Sequence, residues 1–456
     1  MKIAVDFAHS CGKIKPMHSV NNGPVYKLTA DQRLSNLDLY RDAGIPFART
    51  HDASFCATYG GPHTVDVNMI FPDFSRDPED PEAYDFQLTD EYLQIIGLAG
   101  TEVFYRLGSR IEHESKKYGT LPPPDFHKWA VVCEHIIRHM NEGWADGHRF
   151  GIKYWEIWNE PDLGWKDPDP IMKKCWGGTK EEFFELYDIS AKHLKKCFPN
   201  LKIGGPAVTY PLNDWSRDFL KYVSEKSAPL DFFSWHMYTN TVDKIRGVEH
   251  DTRKLLDSYG FEDTESILNE WNYVKGWVGD DWDYSLTNER GLKGSAFTAA
   301  VMETSQHAPL DHLMYYDARP CGMNGLFKPY QPSKALKGYY PFRMFNTLYR
   351  LGEDVKVTPD NDSHVLACAA KGEDGYAVMV THFNDDDSAL PVEVKLSYSN
   401  MSLPTPCRIS YFLLDENHDA ELIREEKICS HDAVSYIKMP NFTTYLIKIE
   451  SCSEDD

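Results

Sequence analysis

Short apolar runs alternate with amphipathic helical stretches through the first 350 residues, and this alternation limits the possible folds more than any other feature. Eight runs have the character of strands, at residues 3–7, 47–50, 102–107, 153–159, 202–205, 231–236, 266–270 and 312–317. Helical stretches lie between them, such as 125–143, where Trp129, Val132, Ile136 and Met140 recur at helical spacing. Eight strand–helix units favour a (β/α)8 barrel. A doubly wound open sheet is the alternative, although it usually has fewer strands and no G-x-G-x-x-G follows the first run.

The connections on one side of the predicted barrel are long. Those after the second, third, fourth and seventh strands span residues 51–88, 108–124, 160–178 and 271–287. Such barrels carry their active sites on the strand-to-helix loops, so this elaboration predicts a functional face. Of the 11 tryptophans, seven lie at strand ends or in these loops, at positions 158, 165, 176, 235, 271, 277 and 282. Each could stack on a sugar ring, and packing within a long loop is the alternative role for each.

The hydrophobic spacing changes from helical to alternating after about residue 350. Strand-like runs at 365–370, 376–383, 392–398, 407–413, 435–439 and 443–449 are separated by turns at 384–387, 416–419 and 440–441. We therefore predict two domains, a catalytic barrel over residues 1–350 and an all-β sandwich over residues 351–456. We expect the sandwich to pack against the barrel without chemistry of its own.

Composition bounds the partners and the compartment. The formal net charge is −22, from 48 basic and 70 acidic side chains, which argues against nucleic acid, anionic membranes and polyanionic substrates. A neutral substrate fits better, although a local basic pocket is compatible with an acidic surface. No signal peptide or apolar run of ~18 residues is present, and none of the ten cysteines forms a C-x-x-C pair. We expect a cytoplasmic protein with reduced thiols and no cofactor or metal; a homo-oligomer is compatible with the sequence.

Two of the predicted strands end in the dipeptide Asn-Glu. The fourth ends at Asn159-Glu160 before Pro161, and the seventh contains Asn269-Glu270. Strands four and seven lie across a closed eight-stranded barrel, so both carboxylates would face one crevice. Retaining glycosidases need a proton donor and a carboxylate nucleophile ~5–5.5 Å apart. We predict Glu160 as the acid/base and Glu270 as the nucleophile; for a single Asn-Glu, capping of the following loop would be the simpler explanation.

With these motifs the sequence resembles glycoside hydrolase family 39 of clan A, a group of β-xylosidases and α-L-iduronidases. Trp158-Asn159-Glu160-Pro161-Asp162 is similar to the acid/base motif, and Leu268-Asn269-Glu270-Trp271 to the nucleophile strand. Residues 49–51 and 232–238 extend the similarity. The resemblance implies that Asn159 contacts the sugar 2-hydroxyl and that three further side chains line the sugar subsite, those of His51, His236 and Tyr238. Two aromatic residues at strand ends, Trp271 and Tyr316, complete the predicted substrate-binding set.

Further expectations concern the strand end at Glu160, the pair His135 and His139, and Asp6. Strict alternation puts Asn159 and Glu160 on opposite faces, so the strand must break its pleat if both contact the sugar. The negative charge of Glu270 should raise the pKa of Glu160. His135 and His139 have the i, i+4 spacing of a zinc-binding face, but no glutamate follows the first histidine, and a solvent-facing helix surface is the expectation. Asp6, in the first run, is either a site residue or a hydrogen-bonding partner inside the barrel.

The predicted function is a retaining exo-glycosidase that acts on small neutral glycosides or oligosaccharides, with β-xylosides first. One departure bears on the sugar: the β-xylosidases of the family end strand eight with a tryptophan followed by acidic residues, whereas this chain has Tyr316-Asp317-Ala318-Arg319. The alternatives are another specificity within the clan (arabinosidase, galactosidase, glucosidase or iduronidase-like) and a non-catalytic carbohydrate-binding barrel. A metal-dependent hydrolase would have to use His51, Asp52 and His236.

Overall fold

The structure is a computed structural model that describes residues 1–26, 35–52, 63–361, 364–404 and 406–453. Eight parallel strands close a barrel in sequence order, and a separate nine-stranded sheet lies beside it. The predicted (β/α)8 barrel with an all-β domain is confirmed. None of the helices in the described ranges is long and apolar enough to cross a membrane.

The strands and helices of the barrel follow one another along the chain. After β1 (Lys2–Lys13), the barrel strands are β2 (Ser19–Asn21), β3 (Phe47–Arg49), β4 (Glu102–Leu107), β5 (Tyr154–Ile157), β6 (Lys202–Val208), β7 (Phe232–Thr239), β8 (Glu265–Tyr273) and β9 (His312–Tyr315). A small hairpin follows, β10 (Phe327–Lys328) and β11 (Gln331–Ala335). The helices are α1 (Leu37–Ala43), α2 (Val67–Ile70), α3 (Gln87–Leu98), α4 (Phe126–Asn141), α5 (Lys180–Cys197), α6 (Asp214–Lys226), α7 (Val242–Ser258), α8 (Gly279–Glu289), α9 (Leu292–Gln306) and α10 (Tyr340–Leu351).

The N-terminal run does not belong to the barrel, so the prediction that residues 3–7 form its first strand is wrong. β1 pairs with two strands of the nine-stranded sheet, and β2 takes the first place in the barrel. The side chains of β1 are buried alternately at Ile3, Val5 and Phe7, as in a sheet with one solvated face. Asp6 instead accepts hydrogen bonds from Ala8 N and Asn400 Nδ2 near the surface, so it is not a site residue.

The second sheet folds over its own core. Its remaining strands are β12 (Glu353–Pro359), β13 (Val365–Gly372), β14 (Gly375–His382), β15 (Val392–Ser399), β16 (Cys407–Leu414), β17 (Asp419–Ile428), β18 (Ala433–Met439) and β19 (Thr443–Ser451). Their order is β17-β16-β19-β14-β13-β12-β1-β15-β18. The hydroxyl groups of Tyr411 on β16 and Ser435 on β18 nevertheless lie 2.5 Å apart, and strands from both ends share one apolar core. The sheet is therefore curled into a sandwich.

The interior of the barrel is layered because every second residue of a strand faces inward. Its lower layer is apolar and consists of Phe104, Tyr154, Phe232, Ile267 and Met314. Two residues further along their strands, Glu156, Ser234 and Asn269 form a polar layer that hydrogen bonds hold together. The ends of β5, β7 and β8 lie above this layer, and the candidate site is built on them.

A turn of the second sheet supports the same end of the barrel. Asp385 accepts hydrogen bonds from the Tyr273 hydroxyl at the end of β8 and from Asn240 Nδ2 just after β7, both at 2.6 Å. The Lys293 ammonium on α9 is buried and pairs with Asp385 and Asp387, each at 2.9 Å. The all-β part thus contacts the strands that carry Glu270 and Tyr238.

Candidate active site

The strand that leads to Glu160 ends abruptly. Regular pairing of β5 stops at Ile157, and Trp158 and Glu160 then adopt left-handed backbone conformations with φ of 78° and 47°. Such conformations cost non-glycine residues roughly 1–2 kcal/mol each and tend to occur at functional sites. Gly108 permits the turn, because a Cβ there would lie 3.1 Å from the Cα of Trp158. The break in the pleat brings both Asn159 and Glu160 to the barrel interior.

Glu270 reaches the interior through a β-bulge in β8. Trp235 of β7 lies opposite Leu268, whereas the next residue, His236, lies opposite Glu270, so β8 carries one extra residue at Asn269. A bulge re-aims side chains that would otherwise alternate. Two successive side chains therefore face inward: Asn269 donates a hydrogen bond to the Glu156 carboxylate, and Glu270 continues the same interior surface.

Arg49 connects the residues at the pleat break after β5 with those at the bulge in β8. This fully buried guanidinium donates to Glu270 Oε1 at 2.7 Å and to Asn159 Oδ1 at 2.6 Å. It also donates to Glu156 Oε2 at 2.7 Å and to Asn21 Oδ1 at 3.0 Å. Four hydrogen bonds from one planar group fix the geometry of the site, which a lysine could not reproduce.

The two glutamates face each other closely. A carboxylate oxygen of Glu160 and one of Glu270 lie within 4.8 Å of one another, with His236 Nδ1 between them. His236 Nδ1 is 2.8 Å from Glu160 Oε1 and 3.4 Å from Glu270 Oε2. The Tyr238 hydroxyl donates to Glu270 Oε2 at 2.9 Å, and His51 Nε2 lies 3.6 Å from Glu270 Oε1. Both oxygens of Glu270 are thus held by donors.

The environments of the two carboxyl groups differ. Burial raises the pKa of Glu160 to about 7, and burial rather than the charge of Glu270 is the main cause. Burial and the charge of Glu160 raise the pKa of Glu270, and His236 and Arg49 lower it in part. Arg49 lowers the pKa of both carboxyl groups and donates a hydrogen bond directly to Glu270. Burial lowers the pKa of His236 to about 4, so this imidazole is neutral at neutral pH.

Both glutamates lie on a cavity of about 940 Å³, at the upper end of the range typical of small-molecule sites. His51, Tyr238 and Tyr316 line it together with residues from the loops after β4, β5, β6, β8 and β9. Asn159 and His236 contact Arg49 and the glutamates beneath. Of the long loop predicted over residues 51–88, residues 53–62 lie outside the described residues.

Trp271 is not brought to this cavity, in contrast to the prediction. Its ring is fully buried against Phe297 of α9 and Tyr315, with ring centroids 6.1 and 5.5 Å away. The bulge explains the difference, since Glu270 turns inward and its successor turns toward the helices. Among the seven tryptophans singled out in the sequence, Trp277 and Trp282 line the cavity and stack on each other at 5.4 Å. Four others are buried and pack in the hydrophobic core: Trp158, Trp176, Trp235 and Trp271.

The segment after β9 contributes Arg319 to the cavity. Its guanidinium pairs with Asp52 and Asp317, each at 2.9 Å, and Asp52 also accepts from the Tyr316 hydroxyl at 3.1 Å. The residue that departs from the sequence pattern of β-xylosidases is therefore a wall of the site. Its charge is balanced by two buried carboxylates.

Three groups of histidines have spacing that bears on metal binding. Asp52 is engaged by Arg319, which removes it from the predicted His51, Asp52 and His236 set. Glu160, His236 and Glu270 have spacing that could hold an ion, but the permanent charge of Arg49 at 2.7 Å from Glu270 opposes a divalent cation there. His135 and His139 are both buried, so the expectation of a solvent-facing pair is wrong.

Sequence reasoning missed the interior network of Arg49, Glu156, Asn21 and Asn269. Its signal was present, because Arg49 and Glu156 are charged residues within otherwise apolar strands. A buried charge requires a partner, so each implied the other.

Comparison with known proteins identifies the family of the chain. Residues 1–301 match the family described as Glycosyl hydrolases family 39. A β-xylosidase from Geobacillus stearothermophilus is 30% identical over 169 residues, which cover 36% of this chain and 30% of that protein. A β-xylosidase from Caldicellulosiruptor saccharolyticus is 25% identical over 251 residues, which cover 52% of this chain and 46% of that protein. The chain thus spans less than half the length of these curated relatives.

A solved structure is similar over nearly the whole chain. The crystal structure of a glucosidase from Croceicoccus marinus has a TM-score of 0.81 at 23% sequence identity and covers 99% of each chain. At this identity the likeness supports the arrangement of barrel and β domain.

Proposed function

The chain belongs to glycosyl hydrolases family 39, and from this premise we propose that it is a retaining exo-glycosidase acting on small neutral glycosides, β-xylosides first. The observation that carries the proposal is the pair of facing glutamates, whose oxygens approach within 4.8 Å. This spacing suits retaining enzymes, because inverting enzymes need ~6.5–9.5 Å between their carboxyl groups to admit a water molecule.

In the first step, protonated Glu160 donates its proton to the glycosidic oxygen. Glu270 attacks the anomeric carbon as the bond to the leaving group breaks, which forms a glycosyl ester. Arg49 and Tyr238, one on each oxygen of Glu270, hold the carboxylate for this attack. A pKa of about 7 keeps much of Glu160 protonated at neutral pH.

In the second step, Glu160 takes a proton from water as the water oxygen attacks the anomeric carbon. Esterification removes the negative charge of Glu270, which lowers the pKa of Glu160 and favours its role as a base. The Oδ1 atom of Asn159 is bound by Arg49, which leaves its amide nitrogen to donate to a sugar hydroxyl. These residues together provide both halves of a double displacement.

Exo action on small glycosides is supported by the loops from five strands that line the cavity. The β-xyloside assignment rests on the two curated relatives with that name. Arg319 and the glucosidase with a similar fold keep the other specificities of the clan in competition. A non-catalytic sugar-binding barrel is the second candidate. The facing carboxyl groups of Glu160 and Glu270, with the raised pKa of Glu160, argue against it.

The test is turnover of a panel of p-nitrophenyl glycosides, including xyloside, arabinoside, glucoside, galactoside and glucuronide. Glu160→Gln and Glu270→Gln should each abolish most of the activity on the best substrate. Glu249→Gln is the matched control, because burial also raises the pKa of Glu249 to about 7 on α7, away from the cavity. If the wild type hydrolyses none of these sugars, the result would support the non-catalytic barrel.

Proton NMR of the first product gives the stereochemistry in the same experiment. Retention predicts that a β-glycoside releases the β-anomer before mutarotation, whereas release of the α-anomer would contradict the double displacement. Activity should persist after treatment with EDTA, and its loss with recovery on adding metal would favour a metal-dependent hydrolase.

A further inference from the structure

A second group of ionisable residues lies outside the cavity, on the flank of the barrel. Asp90 belongs to the first turn of α3, His139 to the last turn of α4, and His148 to the segment that follows α4. One ligand atom from each lies within 4.8 Å of the others. We propose that these three side chains bind a divalent first-row transition metal of the Zn²⁺ type.

The ring of His139 is fixed in one orientation. It stacks on Phe86 at 3.5 Å with an interplanar angle of 6°. Its Nδ1 atom lies 2.8 Å from the carbonyl oxygen of Trp144, and since a carbonyl only accepts, Nδ1 carries the proton. In the neutral ring, Nε2 therefore presents a lone pair. A backbone carbonyl that holds the other ring nitrogen is the usual support of a metal-ligating histidine.

The lone pair of His139 is directed at a carboxylate. Nε2 lies 3.0 Å from Asp90 Oδ1 and 3.2 Å from Oδ2. Two acceptors at this distance repel each other unless a cation lies between them, either a proton or a metal ion. Among the described residues, Asp90 forms ion pairs with His139 and His148 and with no lysine or arginine. No permanent cation therefore competes with the metal at this carboxylate.

His148 supplies the third ligand atom. Its Nε2 lies 3.2 Å from Asp90 Oδ2, and its backbone N–H donates to the carbonyl oxygen of His139 at 2.7 Å. Tetrahedral zinc with bonds of about 2.0–2.1 Å separates its ligand atoms by about 3.3 Å. His139 Nε2 lies 3.0 Å from Asp90 Oδ1 and His148 Nε2 lies 3.2 Å from Asp90 Oδ2, both close to this value. The ligand atoms of the two histidines lie within 4.8 Å of each other. The side chains of Asp90 and His148 are 20% and 25% exposed, so water can complete the coordination.

The backbone beside this cluster is built closely around His139. Ala145 and Asp146 adopt left-handed conformations with φ of 53° and 57°, which are unfavourable for residues other than glycine. At Gly147, a Cβ would lie 2.2 Å from the carbonyl oxygen of His139. This strained turn places both the Trp144 carbonyl and His148 beside the His139 ring. Strained backbone of this kind tends to occur at functional sites.

A second group outside the cavity differs because its carboxylate is already paired with an arginine. Glu134, His193 and Cys197 also have metal-like spacing, but Arg138 contacts the Glu134 carboxylate at 2.6 Å and already neutralises it. The Asp90 group thus fits a cation best. A metal there would connect the start of α3 to the end of α4 and would take no part in glycoside hydrolysis.

The proposal is tested by metal content and thermal stability of the full chain. After EDTA treatment and dialysis, the protein is equilibrated with ZnCl2 and freed of unbound metal. Its bound zinc is then measured by inductively coupled plasma mass spectrometry. His148→Ala and Asp90→Asn should each lose one equivalent of zinc per chain relative to wild type. His193→Ala, in the competing group, should keep it. Zinc should raise the Tm of wild type and of His193→Ala but not of His148→Ala.

Circular dichroism establishes that each variant is folded. The His148→Ala change affects a partly exposed side chain, so it serves if Asp90→Asn fails to fold. Equal zinc content and equal Tm shifts in wild type, His148→Ala and Asp90→Asn would overturn the proposal. That result would mean that a proton shared by His139 and Asp90 is the cation between them.

Discussion

Replacing Arg49 should separate its role in stability from its role in catalysis. Arg49→Met leaves Glu156 buried without its cation, and breaking a buried pair costs about 3–5 kcal/mol of unfolding free energy. The same change removes the hydrogen bond from Arg49 to Glu270 Oε1. A hydrogen bond to a charged group contributes about 1.5–3 kcal/mol. At 1.36 kcal/mol per unit, its loss should raise the pKa of Glu270 by about 1–2 units.

The sign of the effect on activity follows from the role of Glu270. A nucleophile must be ionised, so kcat/KM falls on the acid side as Glu270 is protonated. Raising the pKa of Glu270 moves this acid limb to higher pH by about 1–2 units in Arg49→Met. Arg49→Lys keeps the charge but not the four-way geometry, so a smaller shift in the same direction is expected.

Arg106→Met is the matched control. Arg106 is as buried as Arg49, but it donates to Asp66 at 2.7 Å and to the carbonyl of His51 at 2.9 Å rather than to a glutamate of the site. Urea unfolding should show comparable losses of stability in both methionine variants. The pH profile of kcat/KM should change only in the Arg49 variants. An unmoved acid limb in Arg49→Met, alongside the expected loss of stability, would refute ionised Glu270 as the nucleophile.

Three further predictions concern the acid, the cavity wall and the second sheet. The basic limb of kcat/KM should lie near pH 7, where Glu160 loses the proton that it must donate. Glu160→Gln should abolish this limb in the residual activity on aryl glycosides with good leaving groups. A basic limb that persists in Glu160→Gln would belong to another group. Trp277→Ala removes a half-exposed ring from the cavity and should raise KM about 2- to 10-fold with little change in kcat, as expected for stacking worth ~0.5–1.5 kcal/mol; an unchanged KM for every aglycone would exclude contact with substrate. Asp385→Ala breaks the contacts of the second sheet with Tyr273 and Asn240 and should lower kcat/KM together with Tm, whereas Asp386→Ala, on the exposed side of the same turn, should leave both unchanged.

The fold was predictable where the hydrophobic period was long enough to measure. The barrel strands after the first were predictable because seven apolar runs alternate with helices. The proximity of Glu160 and Glu270 was predictable because the fourth and seventh runs lie across the barrel from each other. β2 has only three residues, too few to show a period, and β1 took its place in the prediction. The alternating burial of β1 is the pattern that distinguishes it from a barrel strand.

Local breaks in regular structure were not predictable in the same way. The bulge at Asn269 reverses the faces of every residue that follows it, so Trp271 was placed in the site although it packs against α9. The pleat break between Trp158 and Glu160 was anticipated from Asn159 and Pro161, but the left-handed residues that produce it carry no sequence signal. The pairing of Arg49 with Glu270 depends on the positions of side chains inside the closed barrel, which the strand pattern does not specify.

The identity of the nucleophile is the central claim, and trapping of the covalent intermediate tests it most directly. The best sugar of the panel, prepared as an activated 2-deoxy-2-fluoro glycoside, slows both steps and lets the glycosyl ester accumulate. Peptide mass spectrometry should then find one sugar per chain, attached to Glu270 in the peptide that contains β8. Attachment to Glu160 or to another residue, or turnover with inversion and no attached sugar, would contradict the account.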